Sequence, residues 1–137
     1  QTCALPISVD YNGAVVGPEE IKQIINSHKR YADSIDEFRL ISYEDKGAHK
    51  HLLFAFELDE NAHYTKEQSD ELLEYIVEKL LVMNLDFKSA HRTSPLKPEL
   101  RLYKKGTGIF DTAHQKLKND YVWNIDYKRA TKEGILK

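Results

Sequence analysis

The segment His51 to Leu58, HLLFAFEL, restricts this chain more than any other stretch. Successive side chains of a strand point to opposite faces, so Leu52, Phe54, Phe56 and Leu58 share one face. Leu53 and Ala55 share the other with Glu57. A strand that is apolar on both faces belongs in the middle of a sheet. The chain has 137 residues, the size of one domain and enough to bury a core without a metal or disulfide staple.

The flanking segments supply partners for that strand. Ile35 to Glu44 alternates as a second strand, and Asp45-Lys46-Gly47 supplies the turn chemistry that joins the two as a hairpin. Val9 to Val16 reads as a short strand or hairpin around the turn pair Asn12-Gly13. Gly17-Pro18-Glu19-Glu20 opens a helix, with proline at the first helical position and acids where the dipole favours them. Ile21, Ile24, Ile25 and His28 recur at the spacing of one buried helix face.

Thr65-Lys66-Glu67-Gln68 is a capping box that starts a helix running to about Met83. Leu72, Leu73, Ile76, Val77, Leu80 and Leu81 form its apolar stripe. Pro95 and Pro98 mark a loop, Glu99 to Lys104 a further strand, Asp111 to Lys118 a short helix and Val122 to Tyr127 a last strand before a basic tail. The order β-α-β-β-α-β predicts an α+β, ferredoxin-like fold: an antiparallel sheet with two helices on one face, plus a C-terminal α/β extension. Residues 1–8, QTCALPIS, are read as a non-native leader, which leaves residues 9–137 as a single domain.

Charge and composition exclude several functions. No apolar run approaches the roughly 20 residues that a membrane-crossing helix needs, and no secretory signal is visible. A cytoplasmic protein with no membrane partner is expected. The single cysteine, Cys3, excludes an internal disulfide and a cysteine-based zinc site. The net charge of −2 argues against a general nucleic-acid binder. It is uneven, however: residues 1–87 hold eight Lys/Arg against seventeen Asp/Glu, and residues 88–137 hold twelve against five. That asymmetry suits either a basic face for an anionic ligand or attraction between the two halves.

Few side-chain constellations carry chemistry. His49 and His51 share a face at a strand start, but no third ligand follows at metal-site spacing, and an exposed hairpin end explains them. His28 reads as a half-buried helix-end residue, and His63, His91 and His114 lie in polar segments. No nucleophile elbow or Ser-x-x-Lys is present. Lys104-Lys105-Gly106-Thr107-Gly108 exposes backbone N–H groups beside two ammonium groups, a place for a phosphate. It matches no established phosphate motif, and a plain strand-to-helix turn is the reading the residues favour. Tyr121, Trp123 and Tyr127 interleave with basic residues, but an amphipathic strand explains the spacing, and no nucleic-acid partner is expected.

Three stretches, taken in order, resemble the C-terminal domain of the acyl-acid amido synthetases, the auxin-responsive-promoter family of adenylate-forming enzymes, and in particular its bacterial relatives. Tyr43 to Leu58 is similar to that family's turn, Gly-x-His and following apolar strand. Met83 to Arg92, MNLDFKSAHR, resembles its Leu-Asn-x-Asp-Tyr-x-x-x-Arg helix end, and Pro98 to Phe110, PELRLYKKGTGIF, resembles its Gly-Thr-Phe turn.

The resemblance implies a lid domain of a ligase that uses ATP, with magnesium, to convert a small-molecule carboxylic acid into an acyl-adenylate before an amine displaces AMP. It implies an N-terminal adenylation domain as partner, a fragment inactive alone, and no nucleotide held by the fragment itself. It also implies a catalytic lysine from a Gln-Tyr-Lys-x-Pro-Arg stretch. Lys128, in Tyr127-Lys128-Arg129, stands in that place, although Ala130 and Thr131 replace the Pro-Arg. Lys116, after Gln115, is the second candidate. Lys104, Lys105, Gly106 and Thr107 are the candidate phosphate contacts. A ligase that transfers the acyl group to a thiol would carry a similar lid, and a small regulatory or ligand-binding βαββαβ module is the alternative from another class.

Overall fold

The computed structural model describes residues 8–111 and 121–136. It opens on a hairpin of β1 (Val9–Tyr11) and β2 (Ala14–Val16). Asn12 and Gly13 close it with φ of 50° and 92°, the left-handed pair that a two-residue hairpin turn requires. Helix α1 (Pro18–Asn26) follows, the Glu20 carboxylate accepting the Gly17 N–H at 3.2 Å, and then a short α2 (Lys29–Ser34) that the sequence pattern did not indicate.

Strands β3 (Ile35–Glu44) and β4 (Lys50–Leu58) form the expected long hairpin, antiparallel with Leu40 opposite Phe54. Helix α3 (Lys66–Met83) begins at the expected capping box: the Gln68 N–H donates to Thr65 Oγ1 at 3.1 Å, and the Thr65 N–H to Gln68 Oε1 at 2.9 Å. The chain continues through α4 (Leu85–Thr93), β5 (Glu99–Tyr103), a 3-10 turn at Gly108–Phe110, β6 (Val122–Ile125) and α5 (Tyr127–Lys132). The tail read as merely basic is thus partly helical. The helix expected over Asp111 to Lys118 falls almost wholly on 112–120, outside the described residues.

The α+β class is as expected, while the strand order differs from the antiparallel sheet predicted. The main sheet runs β5-β4-β3-β6, with β5 parallel to β4 and β6 parallel to β3, so it is mixed. Two local causes account for this. The Asn-Gly turn directly after Tyr11 commits β1 to β2, with Val9 opposite Val16, so β1 never enters the main sheet. The long α3–α4 connection returns the chain in the direction of β4, which is how a parallel neighbour is made.

Both faces of the sheet are covered. Phe38, Leu40, Leu52, Phe54 and Phe56 meet Ile21, Ile24 and Ile25 of α1, Leu72, Ile76 and Leu80 of α3, Phe87 of α4 and the β1–β2 hairpin. On the opposite face Ile41, Tyr43, Leu53 and Ala55 meet Ile109, Phe110, Ala130 and Ile135, with Trp123 from β6. Arg39 is buried on this second face, its guanidinium 5.0 Å from the Phe110 ring and 5.2 Å from the Trp123 ring. None of the helices of the described residues is long and apolar enough to cross a membrane.

Candidate functional site

The turn after β5 is built tightly. Gly106 takes φ of 72°, and the Thr107 N–H and hydroxyl both donate to the Lys104 carbonyl, at 3.1 and 2.7 Å. The Gly106 N–H, read as a phosphate donor, points instead at Glu57 Oε2, 2.7 Å away. Lys105 Nζ lies 2.7 Å from Asp36 Oδ2, and the hydrogen bond to that carboxylate holds its ammonium pKa above the usual value. Burial, with Glu57 nearby, pushes the Glu37 carboxyl up. Two of the candidate phosphate groups are therefore engaged with carboxylates of the sheet, and the Lys104 side chain is exposed. A phosphate reaching the Gly106 N–H has to displace Glu57.

Lys128 lies on α5, exposed to solvent. The helix is fixed from several sides. Asp126 Oδ1 accepts the Arg129 N–H at 2.8 Å, Arg129 Nε donates to Glu133 at 2.7 Å, and the Arg129 guanidinium stacks 5.2 Å from the Trp123 ring. Ala130 and Ile135 are buried beneath it, and Arg101 of β5 donates to the Ile135 carbonyl at 3.2 Å. The Ala130 N–H donates to the Asp126 carbonyl at 2.9 Å, a bond that a proline cannot make. Alanine at this position therefore lets the segment close a helical turn. Ile109 and Phe110, which follow the Lys104–Thr107 turn, and Ala130 and Ile135 of the α5 segment pack over the same face of the sheet. Lys116 lies outside the described residues.

The sequence pattern treated His49 and His51 alike, and the structure separates them. The His49 side chain is 71% exposed, whereas that of His51 is 15% exposed. The His51 ring sits between two carboxylates, Nδ1 3.0 Å from Glu99 Oε2 and Nε2 2.9 Å from Asp45 Oδ2. It stacks on Tyr43 with centroids 4.8 Å apart and planes 7° off parallel, and the Tyr43 hydroxyl donates to Glu99 Oε1 at 2.7 Å. Burial lowers the His51 pKa, but the hydrogen bonds to Asp45 and Glu99 outweigh it and the net shift is upward. The Asp45 carboxyl is held down at about 2, first by His51 and then by the His49 backbone. Burial and the Glu99 contact raise the Tyr43 phenol. Hairpin register was the signal available: a turn centred on Gly47 sets Tyr43 opposite His51. Glu99 arrives from a distant strand and could not be read locally. Among the described residues no group of three or more His, Cys, Asp or Glu side chains is placed to hold a metal ion.

No protein-family model and no curated protein sequence matches the chain. Among solved structures, a domain of phenylacetate-coenzyme A ligase from Bacteroides vulgatus aligns with a TM-score of 0.56 over 87% of this chain and 92% of that one, at 13% sequence identity. At that identity the likeness is one of fold. This chain shares its fold, over most of its length, with a domain of a coenzyme A ligase.

Proposed function

We propose that this domain is the lid of an adenylate-forming ligase, partnered by an N-terminal adenylation domain of the same chain. The observation that carries the reading is the fold shared with a domain of phenylacetate-coenzyme A ligase, which spans most of both chains. The three stretches similar to the acyl-acid amido synthetases support an amine as acyl acceptor, whereas the name of the structural neighbour supports a thiol. We favour the amine. The three stretches fall in the family's order, and the 13% identity to the neighbour speaks to fold alone.

In this reading a carboxylate oxygen of the acid attacks the α-phosphorus of ATP, the bond to the bridging oxygen breaks, and pyrophosphate leaves. Negative charge grows on the phosphate oxygens as it does so. Lys128, a compact cation on a helix held by Trp123, Glu133 and Asp126, is suited to neutralise that charge. Lys104 offers a second, exposed cation, while Lys105, Gly106 and Thr107 shape the turn. The nucleotide, its magnesium and the acid fall mainly to the adenylation domain, so the lid alone turns nothing over. The enzyme would work in the cytoplasm.

The test uses the complete reading frame that contains these 137 residues and its Lys128→Ala variant, assayed for pyrophosphate release with ATP and a panel of carboxylic acids. Acid-dependent release, reduced about tenfold or more in the variant (about 1.4 kcal/mol of transition-state stabilisation), is the expected result. Lys128 is exposed, so the variant should melt with the parent. Release unchanged in the variant overturns the role of Lys128. Trapping of the acyl group by an amine but not by coenzyme A supports the amide-forming branch, and the converse overturns it.

A further inference from the structure

The cluster around His51 shares the second face of the sheet with α5 through Tyr43, and nothing in the proposed reaction uses it. It joins four segments: Tyr43 on β3, Asp45 in the hairpin turn, His51 on β4 and Glu99 at the start of β5. Strand β5 is a sheet edge, held on one side by β4 and partly exposed along its length. Its first residue is the one that reaches His51.

An imidazole with both ring nitrogens facing carboxylates meets them fully only when both nitrogens carry hydrogen. We propose that His51 is a proton-operated clasp that ties the edge strand β5 to the β3–β4 hairpin, closed while the ring is doubly protonated and released on one side when it is singly protonated. The neutral ring keeps one N–H, so one of Asp45 and Glu99 must face a lone pair. Asp45 is the better held of the two. Its Oδ1 also accepts the Gly47 N–H at 2.8 Å and the His49 N–H at 3.0 Å within its own turn. Among the described residues the Glu99 side chain keeps the Tyr43 hydroxyl alone, so β5 is the side that lets go.

The other groups facing the cluster leave this balance in place. His49 approaches Asp45 at 3.4 Å from the solvent side, Tyr43 covers one face of the ring, and Arg101 of β5 acts on the Tyr43 phenol. The raised pKa of His51 fixes the sign. Its stabilising contribution is complete below the unfolded value near 6.5 and is lost as pH rises through the higher folded value. Asp45 works in the opposite sense at the acid end: its contribution is present above its ordinary value of 3.8 and is lost as pH falls toward about 2.

Nitrogen-15 NMR of the imidazole, with amide exchange across pH 5.5 to 9, tests the proposal on this chain, its Glu99→Gln variant and its His51→Gln variant. At pH 6 both ring nitrogens should carry protons, and the midpoint of titration should lie above the ordinary histidine value. Protection of the β5 amides, corrected for intrinsic exchange, should fall about tenfold as pH passes that midpoint, the scale of one charge-assisted hydrogen bond at a half-exposed site. Glu99→Gln should lower the midpoint and flatten the step, and His51→Gln should show no step. Should His51→Gln fail to fold, Glu99→Gln alone decides. A midpoint at or below the ordinary value, a flat β5 profile in the parent, or a step that survives in Glu99→Gln overturns the clasp.

Discussion

Two glycines flank Thr107, and only one of them has room for a methyl group. A Cβ on Gly106 meets nothing within 4 Å, whereas a Cβ on Gly108 would lie 2.5 Å from Tyr103 Cε2 and 2.6 Å from Cδ2. Both residues have positive φ, 72° and 58°, which costs an alanine about 1–2 kcal/mol. Gly106→Ala should therefore destabilise by about 1 kcal/mol. Gly108→Ala should cost about 3 kcal/mol, because the Tyr103 ring is already packed edge-on against Phe110 at 5.4 Å and has little freedom to turn away. Urea denaturation of both variants checks the difference. In a Tyr103→Ala background Gly108→Ala should cost no more than Gly106→Ala, and an unchanged cost would show that the clash is not its origin. The sequence marked this turn correctly as a turn. It could not reveal that Glu57, 49 positions away, takes the Gly106 N–H, because that contact depends on how β4 and β5 lie side by side.

Asn84 decides how the long α3 ends and how α4 begins. Its N–H donates to the Leu80 carbonyl at 2.9 Å, closing α3, and its Oδ1 accepts the Phe87 N–H at 2.9 Å, capping α4. Its Nδ2 donates to the Val15 carbonyl at 3.0 Å and to Glu20 at 3.1 Å, so one side chain joins β2, α1 and α4. Asn84→Ala removes cap and bridge together and should cost about 2 kcal/mol at any pH. Asn84→Asp keeps the cap but sets a second carboxylate against Glu20. Its cost, similar at pH 7, should shrink once pH falls below about 4 and the pair can share a proton. Thermal melts at pH 7 and pH 3.5 separate the two, and an equal cost at both pH values in Asn84→Asp would remove Glu20 from the explanation. The sequence reading carried α3 to Met83 correctly because a capping box and an eighteen-residue stripe both speak for it. It passed over α4 because nine residues with two buried positions, Phe87 and Ala90, are too few to establish a period. The Asn84 cap and Asp86 in the first turn were the legible signals.

At the scale of the whole molecule, one sheet carries two cores of unequal size. The two apolar faces of β4 announced a central strand. The strand of the expected C-terminal extension appears as β6 at the edge of the sheet, its helix over Asp111 to Lys118 lies outside the described residues, and α5, where only a basic tail was expected, covers the second face. What the sequence could not convey was strand order, since the β-α-β-β-α-β pattern is compatible with β1 inside the sheet or folded on itself. Among the described residues the first core has nineteen buried members and the second nine. The second is closed by a four-residue strand and a six-residue helix, so its opening should be cheaper than global unfolding. Ile76→Ala and Ile135→Ala, one in each core and both buried, then act differently. Each removes about 3 kcal/mol of packing. Ile76→Ala lowers the stability of the whole, so β4 amides should lose about a hundredfold in protection. The α5 amides, which exchange by opening only the second core, should stay within about twofold. Ile135→Ala weakens the native state against both openings, so α5 and β4 should lose protection together. Native-state hydrogen exchange reads both sets of amides in one experiment. A hundredfold loss at α5 in Ile76→Ala would mean that the two faces melt as one unit, with β3 and β4 coupling them too strongly for either to open alone.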